Sequence, residues 1–179
     1  MAAGLAETAR PPILVLGLGN CLLRDDGLGP HLLAELSSAY PDSPIIEFVD
    51  GGTQGLALLG YLCDRTAVVI LDAVSLHRPP GTVTILSARE VLDMATGRAT
   101  TAHEGNAGQL LVAAALLGQL PQEVIVVGIE PGELHTGLGL SQSVTQALPE
   151  ARAAAACCIE TLLAKVAAGQ VLPVPCAEA

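Results

Sequence analysis

The stretch Val15-Leu-Gly-Leu-Gly-Asn-Cys-Leu-Leu-Arg-Asp-Asp-Gly-Leu-Gly29 runs from an apolar segment through a glycine turn into two adjacent carboxylates. Ile13 to Leu18 are apolar without alternation, the pattern of a strand buried on both faces of a parallel sheet. Gly17, Gly19 and Asn20 supply the backbone freedom for a sharp exit from that strand. Gly17-x-Gly19 also begins the dinucleotide-binding fingerprint, but Leu22 stands where its third glycine belongs. No Gly-Lys-Ser or Gly-Lys-Thr follows, and Asp25 with Asp26 would repel a pyrophosphate. The acids therefore point to a cation.

Working outward, apolar runs alternate with segments of helical period, the signature of an α/β fold with helices on both faces of a sheet. Residues 27–38 carry Leu28, Leu32, Leu33 and Leu36 at helical spacing. A short second strand is expected at 45–49, then a glycine loop over Asp50-Gly-Gly-Thr-Gln-Gly55 and a short helix at 56–62. A central third strand at 67–71 ends in Asp72, and a fourth at 81–86, after the Arg78-Pro-Pro-Gly81 turn, is expected at an edge. Helices are expected at 87–94 and 105–117, with His103 in the polar loop between them. Residues 124–129 form the fifth strand, followed by an irregular loop at 130–139, long enough for a lid, that contains His135. A last helical region runs from Ser141 to Ala168, where Pro149 either kinks it or starts a second helix. The expectation is one domain over residues 11–169, with loosely held ends at 1–10 and 170–179.

A chain of 179 residues with 51% hydrophobic content is long and apolar enough for one full core. Its formal net charge of -10 argues against nucleic acid or anionic membrane as a partner. The N-terminus lacks the basic start and apolar run of a signal peptide, and no apolar stretch reaches transmembrane length. A cytoplasmic protein, monomeric by default, is expected. Five cysteines without a Cys-x-x-Cys pair argue against a disulfide framework or zinc ribbon, and most are expected to be reduced and buried. Cys21 reads as a small apolar filler in preference to a nucleophile.

Ligands of open parallel sheets bind beyond the strands' carboxyl ends, where strand order reverses. Asp26 follows the first strand, and Asp72 ends the third. If the second and third strands flank the first, the two acids meet at one edge, within reach of the His103 loop. Two carboxylates and an imidazole form a three-ligand set for a divalent metal, nickel or zinc over magnesium. Each residue also has a plainer reading. Asp72 alone could cap a helix or accept loop amides, and His103 alone could be a surface residue, since the second histidine of a zinc-protease helix would fall at Ala107. Asp50 could simply form the turn before Gly51-Gly52, while His31, His77 and His135 read as solvated or helix-end residues.

Taken together, Gly17-x-Gly-Asn-x-Leu-x-x-Asp-Asp-Gly-x-Gly29, Asp50-Gly-Gly-Thr53, Ile70-Leu-Asp-Ala73, the His103 loop and Gly128-Ile-Glu-Pro131 resemble, in order and spacing, the hydrogenase maturation endopeptidases. The resemblance spans about residues 13 to 165. It implies a three-layer α/β/α sandwich around a mostly parallel five-stranded sheet. It also implies an endopeptidase, of a kind grouped with aspartic peptidases, that removes the C-terminal extension of a nickel-iron hydrogenase large-subunit precursor after nickel insertion. By the same resemblance the metal contacts fall on Asp26, Asp72 and His103, with Asp26 and Asp72 as the catalytic pair. Nickel would be supplied by or shared with the substrate, with zinc or cadmium as substitutes in vitro. Substrate handling falls on Asp50, Gly51, Gly52 and Thr53. Relatives often carry Glu where Asp26 stands, and some have glutamine in place of Glu104. The alternative from another class is a non-catalytic nickel carrier or checkpoint module recognising the same precursor.

Overall fold

The computed structural model describes residues 10–95 and 106–171. The chain runs through β1 (Ile13–Leu18), α1 (Leu28–Ser37), β2 (Ile46–Gly52), α2 (Leu59–Leu62), β3 (Ala67–Ala73), β4 (Val83–Ser87), α3 (Ala88–Ala95), α4 (Asn106–Leu116), β5 (Glu123–Ile129) and α5 (Gln142–Ala167). The sheet order is β2-β1-β3-β5-β4. All pairings are parallel except the edge strand β4, which runs antiparallel to β5.

Every residue of β1 is buried, because its side chains feed two cores. Ile13 and Val15 pack with Leu28, Leu32 and Leu36 of α1 and with Ala151, Ala155 and Ile159 of α5. Leu14, Leu16 and Leu18 pack on the other face with Leu62 of α2, Val91 of α3, and Leu110 and Leu111 of α4. The result is the expected three-layer α/β/α sandwich. Burying each of these leucines stabilises the fold by about 1.5–3 kcal/mol. The alanine face of α5 lets that helix approach the sheet closely, with Ala151 and Ala155 fully buried.

Several boundaries differ from the sequence reading. The second strand continues through Asp50, Gly51 and Gly52, since a register shift between Gly17 and Leu18 keeps them in the ladder with β1. The last helix is continuous across Pro149 and begins at Gln142, behind a Ser141 N-cap whose Oγ accepts the Val144 N–H at 3.4 Å. Cys21 and Cys157 are exposed and Cys158 half-buried, all as free thiols, while Cys63 is buried and disulfide-bonded. Cys21, Cys157 and Cys158 are thus reduced as expected but not buried, and Cys63 is buried as expected but not reduced. No helix among the described residues is long and apolar enough to cross a membrane. Most of the two expected loose ends, and the loop that holds His103, lie outside the described residues.

The N-terminal end of the sheet is fastened by Arg65. Its side chain is almost wholly buried, donates to the Tyr61 carbonyl at 3.1 Å and pairs with Glu47 on β2. The carboxyl end is left to the acidic loops.

Candidate active site

The parallel register places Gly17 of β1 opposite both Asp50 of β2 and Leu71 of β3, so the three strands end together. The connections from β1 and β3 leave on opposite faces of the sheet, which opens a crevice at the switch point between them. Asp26 reaches this crevice from a turn of 3-10 helix at Arg24–Gly27, and Asp72 from the end of β3.

Local backbone chemistry fixes the Asp26 loop. Gly19 has φ +128°, and a side chain there would overlap the Asp26 carbonyl oxygen. The Asn20 N–H donates to Asp26 Oδ2 at 2.8 Å, while Asn20 Oδ1 accepts the Leu22 N–H at 2.9 Å. Asp26 is half-buried. Asp72 is only 2% exposed, and its Oδ2 accepts the Ala107 N–H from the start of α4 at 3.2 Å. Burial pushes the Asp72 carboxyl up to about 7, the Ala107 and Ala73 N–H groups oppose that rise, and the charge of Asp26 adds to it. The two acids that the sequence pairs are thus electrostatically coupled here, and among the described residues no positive charge contributes to the shift of Asp72. Such a pair fits a divalent cation. Among the described residues no group of three His, Cys, Asp or Glu could hold a metal; His103, the third expected ligand, lies outside them.

The neighbouring Asp25 is turned the other way. It is fully buried; Oδ2 accepts the Gly132 and Glu133 N–H groups at 2.8 Å each, and Oδ1 accepts the Ser141 N–H at 2.6 Å. Burial alone would raise its pKa, but the backbone donors of Ser141, Glu133 and Gly132 prevail and hold it below the usual carboxylate range. The loop at 130–139 is therefore fastened to the Asp26 loop. Backbone bonds between Arg24 and Gly137, and between Gly137 and Leu22, extend the seam, and the Arg24 guanidinium donates to Glu133 Oε2 at 2.9 and 3.1 Å. In this structure the loop lies closed on the Asp26 loop. His135, exposed, contacts Glu133 at 3.1 Å on this fastened loop, and His31 faces Glu35 at 3.5 Å on the surface of α1.

Asp50 is exposed at the same sheet edge, and its Oδ1 accepts the Gly52 N–H at 3.0 Å, the turn-forming geometry of its plainer reading. Gly51 is buried against Leu18, Leu58 and Leu16, whereas Thr53 is exposed. A residue the sequence reading left without a role is Glu130. Nearly buried, it accepts the Leu76 N–H at 2.6 Å and the Ser75 hydroxyl at 3.2 Å, and so holds the loop that follows Asp72. Its place in the Gly128-Ile-Glu-Pro131 motif, directly after an apolar strand, was its visible sign.

Residues 30–157 match the HycI family model, described as hydrogenase maturation protease. The chain belongs to the hydrogenase maturation protease family. It is 36% identical over 133 residues to the Hydrogenase 2 maturation protease of Escherichia coli K12, covering 74% of this chain and 80% of that one. It is 33% identical over 138 residues to the hydrogenase expression/formation protein HoxM of Cupriavidus necator, covering 77% and 68%. Among solved structures, the hydrogenase maturating endopeptidase HybD from Escherichia coli superposes with a TM-score of 0.69 at 31% identity, over 91% of this chain and 96% of that one. Family membership accounts for the five-stranded α/β/α architecture.

Proposed function

We propose that the protein is the endopeptidase that removes the C-terminal extension of a nickel-iron hydrogenase large-subunit precursor once nickel has been inserted, acting in the cytoplasm. The observation that carries this reading is the coupled Asp26–Asp72 pair at the β1/β3 crevice of a chain in this family. In the proposal nickel arrives as part of the substrate, and Asp26, Asp72 and His103 are the side chains that receive it. A divalent cation so held polarises a carbonyl or lowers the pKa of a water.

The chain's own residues do the remaining work. Asp72, walled from solvent, is a carboxylate once the cation is beside it and is suited to accept a proton from an attacking water and pass it to a departing amine. Asp26, oriented through one oxygen by the Asn20 N–H, presents a second carboxylate to the same space. The turn at Asp50-Gly51-Gly52-Thr53 lies at the adjoining strand end, where it can meet the incoming precursor segment.

The test is incubation of purified protein with a nickel-loaded large-subunit precursor and with its metal-free form, read by intact mass. Loss of a C-terminal peptide from the loaded form alone is expected. An unshortened loaded precursor would discard the peptidase, and nickel binding without shortening would leave a carrier.

A further inference from the structure

A cavity of about 50 Å³ opens directly beside Asp72, lined by Val74, Leu76, Val91, Met94 and Gly108. It lies between the β3–β4 connection, α3 and the first turn of α4. Two of its walls are fixed from behind. Val74 lies against Gly128, where any side chain would collide with it, and the Val74 N–H donates to the Ile129 carbonyl at 3.1 Å. Leu76 is held by its N–H bond to the nearly buried Glu130. The wall formed by the β3–β4 connection is therefore set by backbone contacts with β5 and Glu130.

Its chemistry selects the occupant. One water needs about 10–15 Å³ of such space and two to four polar partners. This cavity is several times larger, yet its lining offers little beyond the Asp72 carboxyl. An aliphatic side chain of valine to methionine size suits that volume and lining, whereas a charged one would be desolvated without a partner. A peptide brought to Asp72 for cleavage advances by about 3.3 Å per residue, so a residue next to the cut is within reach of the cavity mouth.

We propose that this cavity is a specificity pocket that takes an aliphatic side chain of the precursor at a position immediately flanking the cut. The inference rests on the endopeptidase reading above, and its experiment separates the two. Met94 is one of two methionines in the chain, with Met1, so protein labelled with 13C at the methionine methyls reports on the pocket directly. On addition of the nickel-loaded large-subunit precursor at low temperature, the Met94 signal should shift and the Met1 signal should not. A loaded precursor with Asp placed at the flanking position should leave the Met94 signal unshifted. Cleavage should follow the same rule, with Asp at that position lowering kcat/KM at least tenfold. Met94→Ala, which enlarges the pocket, should move the preference to larger side chains. Gly108→Leu, whose Cβ meets among the described residues only the Ala95 Cβ at 3.9 Å, should move it to alanine. A Met94 signal unmoved by a loaded precursor that is then cut, or one size ranking shared by wild type and both variants, overturns the pocket while leaving the peptidase intact. A Met94 shift without any cleavage removes the peptidase and keeps the pocket as a binding site.

Discussion

Asp25 Oδ1 accepts the Ser141 N–H at 2.6 Å, joining the loop after the first strand to the N-cap of the last helix across 116 positions of sequence. With two further amides on its other oxygen, this carboxylate is the point where the start and the end of the fold are fastened beside the candidate site.

Asp25→Asn keeps the shape but supplies only one acceptor oxygen for three N–H groups. Hydrogen bonds to a charged acceptor are worth about 1.5–3 kcal/mol each, so a loss of about 2–4 kcal/mol at pH 7 is expected by urea unfolding. Because the folded-state pKa is lowered, the stabilisation is present above the unfolded value of about 3.9 and is lost as pH falls through the folded value. Wild type should therefore lose stability below about pH 4, and the variant should show a flatter acid limb. Equal acid limbs would count against the clamp.

Asp72 has the opposite sign. Its folded pKa of about 7 lies above the unfolded value, so its contribution is fully present at low pH and declines as pH rises from about 4 through 7. Metal-free Asp72→Asn should be more stable than metal-free wild type at pH 8, by about 1–4 kcal/mol, with the difference vanishing near pH 4. The same change should reduce precursor processing by about a hundredfold or more. Normal processing by this variant would remove Asp72 from the chemistry.

Gly19→Ala places a Cβ against the Asp26 carbonyl in a backbone region that L side chains avoid. A stability loss of about 2 kcal/mol and a larger fall in activity than in folded fraction are expected, because the displaced atom belongs to the acid loop. Activity per folded molecule, from assays corrected by near-UV circular dichroism, distinguishes this from simple unfolding.

Arg65 supplies the contrast. Its partner Glu47 is 37% exposed and can be solvated alone, but Arg65→Ala leaves the Tyr61 and Pro11 carbonyls without their donor, at about 1–3 kcal/mol for a buried acceptor, and should lower the urea midpoint. Arg65 sits at the opposite end of the sheet from the acids. Processing by the folded fraction at low temperature should be unchanged, and a drop in kcat there would show that the two ends are coupled.

The sequence made the first strand legible because six apolar residues without alternation suit little besides a doubly buried strand. It placed Asp26 and Asp72 at one sheet edge for the same reason, since strand ends follow from strand order. What it hid was non-local. Glycines at 51 and 52 read as loop, and only pairing with β1 across a register shift makes them strand. The loop at 130–139 read only as long enough for a lid, because its anchor, Asp25, lies 107 positions away from Gly132. Asp25 and Asp26 are identical in type and adjacent, so nothing local tells which is buried. His103 remains an expectation, outside the described residues.

One consequence follows from β1 serving both cores. Ile13 and Val15 belong to one helix layer and Leu14, Leu16 and Leu18 to the other, so neither layer can peel away without uncovering the strand that supports its counterpart. The slowest-exchanging amides should therefore be those of β1 and β3, opening only with global unfolding. The acid pair hangs from the last parts of the molecule to come apart, so its geometry should persist even while the outer helices breathe.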